Sequence, residues 1–355
     1  MSGRDALRPG TRAVHAGLPA AVDGEPFLPG PQFASAFHLT GPGSPEGYGR
    51  YVHPTYTLYE QALGELEGGV ALAFASGMAA TSAVLLGLLG PGDVLVAPDD
   101  AYPGVRAIAA EHLAPRGVEV RLVPTDEAAI RSALPGASLV WVETPSNPGL
   151  DVLDVAALAA DVHAAGARLV VDNTLATAYL QRPLELGADL VVASGTKALT
   201  GHSDLIVGHV AARDAEALAR VREWRGLHGA IPGPMETWLA HRSLATLGVR
   251  VERQQLNAQA LRDLVAARTD VVTDVRWPGL GGVLCFTLAS EERAEAFLAA
   301  CTLVADATSF GGVHSSAERR ARWETDDVSP GFVRFSCGVE DTEDLVADVA
   351  RALGA

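Results

Sequence analysis

The chain has 355 residues, 48% of them apolar and 20% charged, enough to bury a sizeable core and too many for one small core. Its 43 Asp and Glu against 27 Lys and Arg give a net charge of −16, and no basic run reverses this locally, which argues against nucleic acid or a membrane surface as partner. Cys285, Cys301 and Cys337 are too few and too unevenly spaced for a disulfide framework or a zinc site, so a reducing, cytoplasmic setting is expected.

Residues 1–52 are rich in Pro and Gly, lack periodicity and hold no apolar signal core. They read as an extended arm that needs something to lie against, a neighbouring subunit being one candidate. From about 70 to 225, short apolar runs alternate with helical stretches. The runs cover 71–75, 94–97, 118–123, 139–142, 169–171, 190–193 and 206–211, with Ala- and Leu-rich segments such as 154–165 between them. This is the pattern of a mostly parallel sheet covered by helices. The longest apolar stretch, 78–89, contains Thr81, Ser82 and Gly87 and stops at Gly90-Pro91-Gly92, which predicts a buried helix rather than a membrane span. After about 232 the texture changes. One long helix over 236–267 leads to strands at 271–276 and 283–288, a helix at 291–300, a strand at 333–336 and a closing helix. The expected division is an arm (1–52), a large α/β domain (53–232) and a smaller α+β domain (233–355).

In open parallel sheets, ligands bind beyond the carboxyl ends of the strands. Five such ends deliver polar residues to one rim: Ser76-Gly77-Met78, Tyr102, Glu143 with Asn147, Asp172, and Ser194-Gly195-Thr196-Lys197. Each has an ordinary reading. Ser76 is a helix cap, Asp172 a cap for the next element, Tyr102 a packed ring and Lys197 a surface amine. Each also has a chemical one. A helix start seats a phosphate. A carboxylate keeps a pyridine nitrogen protonated. An aromatic side chain stacks on a ring. A lysine in apolar surroundings becomes a nucleophilic amine. Together these are the requirements of pyridoxal 5'-phosphate held as a Schiff base on Lys197.

The segments VETPSNP (142–148), VDNT (171–174) and SGTKALTGHSD (194–204) resemble the cystathionine γ-lyase/γ-synthase family of Cys/Met-metabolism enzymes. So do TRAVHAG (11–17), YGRYVHPT (48–55), LEGG (66–69), SGMAA (76–80), HRSLATLGVRVERQQLNA (241–258), SFGGVHS (309–315) and VRFSCGVED (333–341), in the right order over nearly the whole chain. The resemblance implies the type I pyridoxal-phosphate-dependent transferase fold, aspartate-aminotransferase-like, and a homotetramer built as a dimer of dimers. It implies that Tyr48 and Arg50 reach the cofactor phosphate of the neighbouring subunit. Gly77, Met78, Ser194 and Thr196 would hold the same phosphate, Tyr102 would stack on the ring, and Asp172 would pair with its nitrogen. Asn147, Ser309 and Arg334 would hold the substrate, Arg334 by a bidentate grip on its α-carboxylate. Lys197 would move the substrate's protons and Tyr102 would serve the departing group.

Several positions depart from the family. Its SLGG-x-E reads SFGGVH, which puts His314 where a glutamate is expected to meet the distal amino group; Glu318 is the acid that could replace it. The loop that follows is rewritten as AERRARW (317–323). No cysteine follows Tyr102 closely, and Asn-Pro-Thr becomes His53-Pro54-Thr55. The expectation is an altered substrate entrance, one that disfavours cystathionine. His202 and His209 have no partner at metal-ligand spacing and read as structural. The leading reading is a γ-elimination lyase giving a 2-oxo acid, ammonia and a thiol. A γ-replacement enzyme, of an ordinary or unusual amino acid, shares every cofactor residue. A non-catalytic binding protein on the same fold is the alternative of another class.

Overall fold

The computed structural model describes residues 7–39 and 47–354. Residues 1–6 and 40–46 of the expected arm lie outside them.

Helices α1 (Pro9–His15) and α2 (Pro54–Glu67) precede β1 (Val70–Phe74). His53 caps α2, its Nδ1 accepting the Thr55 N–H at 3.2 Å, while Pro54 occupies the first turn, where a missing donor costs little. Burial lowers the His53 pKa and so keeps the ring neutral and able to accept. The histidine at 53 therefore supplies a cap.

The chain continues through α3 (Gly77–Leu88), β2 (Val94–Pro98), α4 (Pro103–Ile108), β3 (Glu119–Val123), α5 (Glu127–Ala133), β4 (Leu139–Glu143), α6 (Val155–Ala164), β5 (Arg168–Asp172), α7 (Thr177–Leu180), β6 (Leu190–Ser194) and β7 (Gly208–Ala212). These seven strands form one sheet in the order β1-β7-β6-β5-β4-β2-β3. Strands β3, β2, β4, β5 and β6 are parallel, whereas β7 runs against both β6 and β1. Two reversals leave β1 pointing the same way as the parallel set. The carboxyl ends of β1, β2, β4, β5 and β6 therefore share a rim.

Period-two burial puts apolar side chains on both faces of this sheet. Leu72, Leu95, Trp141 and Val192 pack with Ala80, Val84 and Leu88 of α3 on one face. Ala73, Val191 and Ala211 pack with Leu63 and Leu66 of α2 on the other. Each fully buried Val or Leu stabilises the fold by about 1.5–3 kcal/mol relative to exposure.

Beyond the sheet come α8 (Ala215–His228), α9 (Pro234–Leu244) and α10 (Leu247–Ala267). The single helix expected over 236–267 is thus two helices, broken at Ala245-Thr246. Then follow β8 (Val272–Arg276), β9 (Val283–Leu288), α11 (Glu291–Ala300), β10 (Ala305–Asp306), β11 (Ser316–Arg319), β12 (Phe332–Ser336) and α12 (Thr342–Leu353). They build a second sheet, β10-β11-β12-β9-β8. Strands β10 and β11 have no apolar run, so hydrophobic patterning does not reveal them. Helix α10 joins the two sheets: Leu247 and Val251 pack with the first, Ala258, Leu261 and Val265 with the second.

Candidate active site

The rim encloses a cavity of about 330 Å³. Register brings its floor together. Glu143, Asp172 and Val192 are direct neighbours across β4, β5 and β6, and Ser194 pairs with Gly208 on β7. Asp172, Ser194 and Lys197 line the cavity from this side, Gly77 and Met78 from the start of α3, and Tyr102 from the start of α4. Asn147, Ser309 and Arg334 line it as well.

Ser76 caps α3 by accepting the Ala79 N–H at 3.0 Å, so the ordinary reading of this serine holds. The helix start still faces the cavity through Gly77 and Met78. It lies so close to β6 that a Cβ at Gly77 would stand 2.7 Å from Ser194 Cβ. Asp172 Oδ1 accepts the Thr174 N–H at 3.0 Å and the Thr174 hydroxyl at 2.5 Å. Burial nevertheless raises its pKa, with Thr174 and His209 opposing. Beside it, burial and then Asp172 and Asp100 push the Glu143 carboxyl well above the usual range.

Lys197 follows β6, and its Nζ donates to Ser309 Oγ at 2.6 Å. Burial, reinforced by the Arg334 cation, lowers its pKa to about 8. Ser309 holds a φ of 81°, a strained conformation for a residue with a Cβ. Next to it, Gly311 (φ 80°) approaches Ala198 so closely that a Cβ would stand 2.4 Å from Ala198 N. The SFGG segment is therefore pressed against the turn that carries Lys197. A residue the sequence reading missed braces that turn from below. Arg250, buried on α10, donates to Ala198 O at 2.6 Å and to Leu199 O and Ser243 O at 3.0 Å.

Arg334 lies on β12. Its Nη1 donates to Asn147 Oδ1 at 2.5 Å and its Nη2 to Glu318 Oε1. Glu318 stands directly opposite on β11. Its Oε1 also accepts from Arg320 Nη1 at 2.9 Å and its Oε2 from Trp323 Nε1 at 2.8 Å. Burial works against ionisation, but Arg334, Trp323 and Arg320 hold the Glu318 carboxyl below the usual range. Glu318 is thus a brace for Arg334 and not the replacement acid for a distal ammonium. His314 also needs correction. It is exposed and does not line the cavity, which this part of the chain lines instead with buried Arg320 and with the exposed Thr308, Trp323 and Thr325 at its open side.

Three expected residues do not line the cavity of this chain. Tyr48 and Arg50 lie elsewhere, Arg50 donating to Gly226 O at 2.6 Å with its guanidinium over the Tyr51 ring. The Thr196 hydroxyl bonds Val207 O at 3.2 Å and Val207 N at 3.1 Å. His209 is buried against Glu67 at 2.8 Å, and His202 bonds Thr200 O at 2.6 Å. No group of three or more metal-ligating side chains occurs among the described residues.

The residues present fit pyridoxal phosphate. A helix start faces the cavity for a phosphate, a buried carboxylate would gain from a cationic ring nitrogen, and an amine of lowered pKa lines the same cavity. Fold and site together define a type I pyridoxal-phosphate enzyme. The sequence pattern of the Cys/Met metabolism PLP-dependent enzymes matches residues 33–354, and the chain belongs to that family. A Streptomyces coelicolor protein named "Putative cystathionine gamma-lyase" is 54% identical, over 97% of this chain and 93% of its own length. The cystathionine gamma-lyase of Bacillus subtilis is 36% identical over 86% and 88%. Among solved structures, metB of Corynebacterium glutamicum superposes with a TM-score of 0.94 at 34% identity, covering 99% of each chain. Membership of this enzyme family removes the non-catalytic alternative.

Proposed function

We propose that the protein is a γ-elimination lyase of sulfur or other γ-substituted amino acids, giving a 2-oxo acid, ammonia and a thiol. The observation that carries this is the Lys197 amine, held 2.6 Å from Ser309 Oγ in the same cavity as the buried Arg334 fork. Pyridoxal phosphate, when bound, supplies an aldehyde that condenses with amines and a ring that accepts electrons from the neighbouring carbon. Arg334, aimed by Asn147 and Glu318, orients the substrate by its α-carboxylate. Lys197 Nζ takes the proton from Cα and then moves one from Cβ, and its lowered pKa suits both tasks. The Tyr102 hydroxyl gives a proton to the departing group. Gly77, Met78 and Ser194 would hold the phosphate and Asp172 the ring nitrogen, whereas the Thr196 hydroxyl, taken up by Val207, would not reach it.

A replacement reaction would use the same residues, and the relatives carry lyase and synthase names alike. The decisive experiment incubates the holoenzyme with homocysteine, cystathionine and O-acylhomoserines, with and without an added thiol. Keto acid without thiol supports elimination, thioether formed only with thiol supports replacement, and neither product rejects both. Lys197→Ala should abolish the cofactor's yellow absorbance on lysine and lower turnover by at least about 10²–10⁴-fold.

We also propose a cytoplasmic homotetramer, a dimer of dimers in which Tyr48 and Arg50 serve the partner's site, with 53–232 and 233–355 as domains. The exposed Phe27, Phe33 and Leu39 of the arm and the three free cysteines support this reading. Among the described residues no helix is long and apolar enough to cross a membrane.

A further inference from the structure

The outer cavity is where a γ-substituent must lie, so its chemistry bears on the substrate class; the inference rests on the lyase or replacement reading above. Glu143 and Asp172 are the carboxylates among the described residues that line the cavity. Both belong to its floor, and Asp172 already accepts two bonds from Thr174. Behind the outer wall, both oxygens of Glu318 are occupied, by Arg334, Arg320 and Trp323. Asp326 is taken by Arg320. Among the described residues a distal ammonium would therefore meet no acceptor carboxylate there. It would stand beside Arg320 and Arg334, whose like charge opposes any attraction to the indole face of Trp323.

A distal carboxylate fares no better. Arg320 spends Nε and Nη2 on Asp326 and Nη1 on Glu318, so a further anion would approach a guanidinium already flanked by two. Arg334 is reserved for the α-carboxylate. What the outer wall offers is the indole of Trp323, 46% exposed yet pinned through Nε1, together with the hydroxyl-bearing Thr308 and Thr325. Such a wall rewards the burial of apolar surface and penalises a charge that loses its water. The wall is also fixed in place. Arg106 on α4 donates to Thr325 O at 2.5 Å and to Ala101 O at 2.8 Å, tying it to the turn that carries Tyr102.

We propose that Trp323 is a specificity-determining residue, selecting amino acids with a neutral γ-substituent (alkylthio or acyloxy) over those whose far end carries an ammonium, a carboxylate or both.

The test uses unreactive amino acids on the full-length holoenzyme, with binding followed through the cofactor's absorbance. L-norleucine presents a neutral side chain, L-lysine a distal ammonium and L-2-aminoadipate a distal carboxylate. Norleucine should bind at least about tenfold more tightly than either charged probe. In Trp323→Ala this ratio should fall below about threefold, a larger change than any in L-alanine binding, and Trp323→Phe should keep most of it. Lysine or aminoadipate binding as tightly as norleucine would overturn the proposal, as would an unchanged ratio in Trp323→Ala. An equal loss of L-alanine binding in that variant would make Trp323 merely a prop for Glu318 and overturn it too. Because no turnover is read, this result stands apart from the outcome of the substrate panel.

Discussion

The Lys197 amine works between charges of opposite sign. Burial lowers its pKa to about 8 with help from Arg334, while Glu318 pulls it back up. Only the unprotonated amine can take a proton from Cα, so kcat should rise with pH through about 8. In Glu318→Gln the opposing negative charge is gone, and the acid limb should move to lower pH. The same variant removes a charge-assisted bond from Arg334, worth about 1.5–3 kcal/mol, so KM for the amino acid should rise about ten- to a hundredfold. A pH–rate profile and KM measured together check both effects; an unmoved limb with an unchanged KM would deny Glu318 this role. Lys197 and Asp172 were legible because each follows or ends an apolar strand whose carboxyl end has a known meaning. Glu318 was not. Its partner lies 16 residues on and meets it only through the register of β11 and β12, and a polar four-residue strand shows no hydrophobic alternation.

At the scale of elements, the break between α9 and α10 has a physical use that the helical periodicity of 236–267 concealed. No proline or glycine marks positions 245 and 246, so pattern alone extends one helix through them. At the break Ser243 O accepts from Thr246 and also from Arg250, whose other donors reach Thr246 Oγ1 and, behind Lys197, Ala198 O and Leu199 O. One buried guanidinium thus joins a helix end to the catalytic turn. Arg250→Met keeps apolar bulk but leaves three carbonyls without this donor, which should destabilise the protein on the order of 3 kcal/mol. Thermal unfolding should show a lowered midpoint, and cofactor release on dilution should quicken because the turn bearing Lys197 loosens. A variant with unchanged midpoint and unchanged release would mean that the turn is held without Arg250.

The whole molecule raises the question that one chain leaves open, namely what the arm and the Tyr48–Arg50 pair serve. Phe27 is 91% exposed and Phe33 71%, fractions costly for large apolar side chains unless another surface covers them. Arg50 lies outside its own chain's cavity, over the Tyr51 ring. The roles proposed for Tyr48 and Arg50 rest on the family resemblance alone, since among the described residues Arg50 meets Gly226 O and the Tyr51 ring and neither residue lines the cavity. If Arg50 acts across a two-fold interface, each site draws Lys197 from one chain and Arg50 from the other. Lys197→Ala and Arg50→Ala homo-oligomers should then each be impaired, the second through weakened cofactor binding. Mixing them under conditions that allow subunit exchange creates heterodimers in which one site carries both substitutions and the other carries neither. At equal amounts and random pairing, about a quarter of all sites are intact, so activity should climb toward about a quarter of the wild-type value. Arg50 acting within its own chain predicts no such recovery, because every site would then retain one defect.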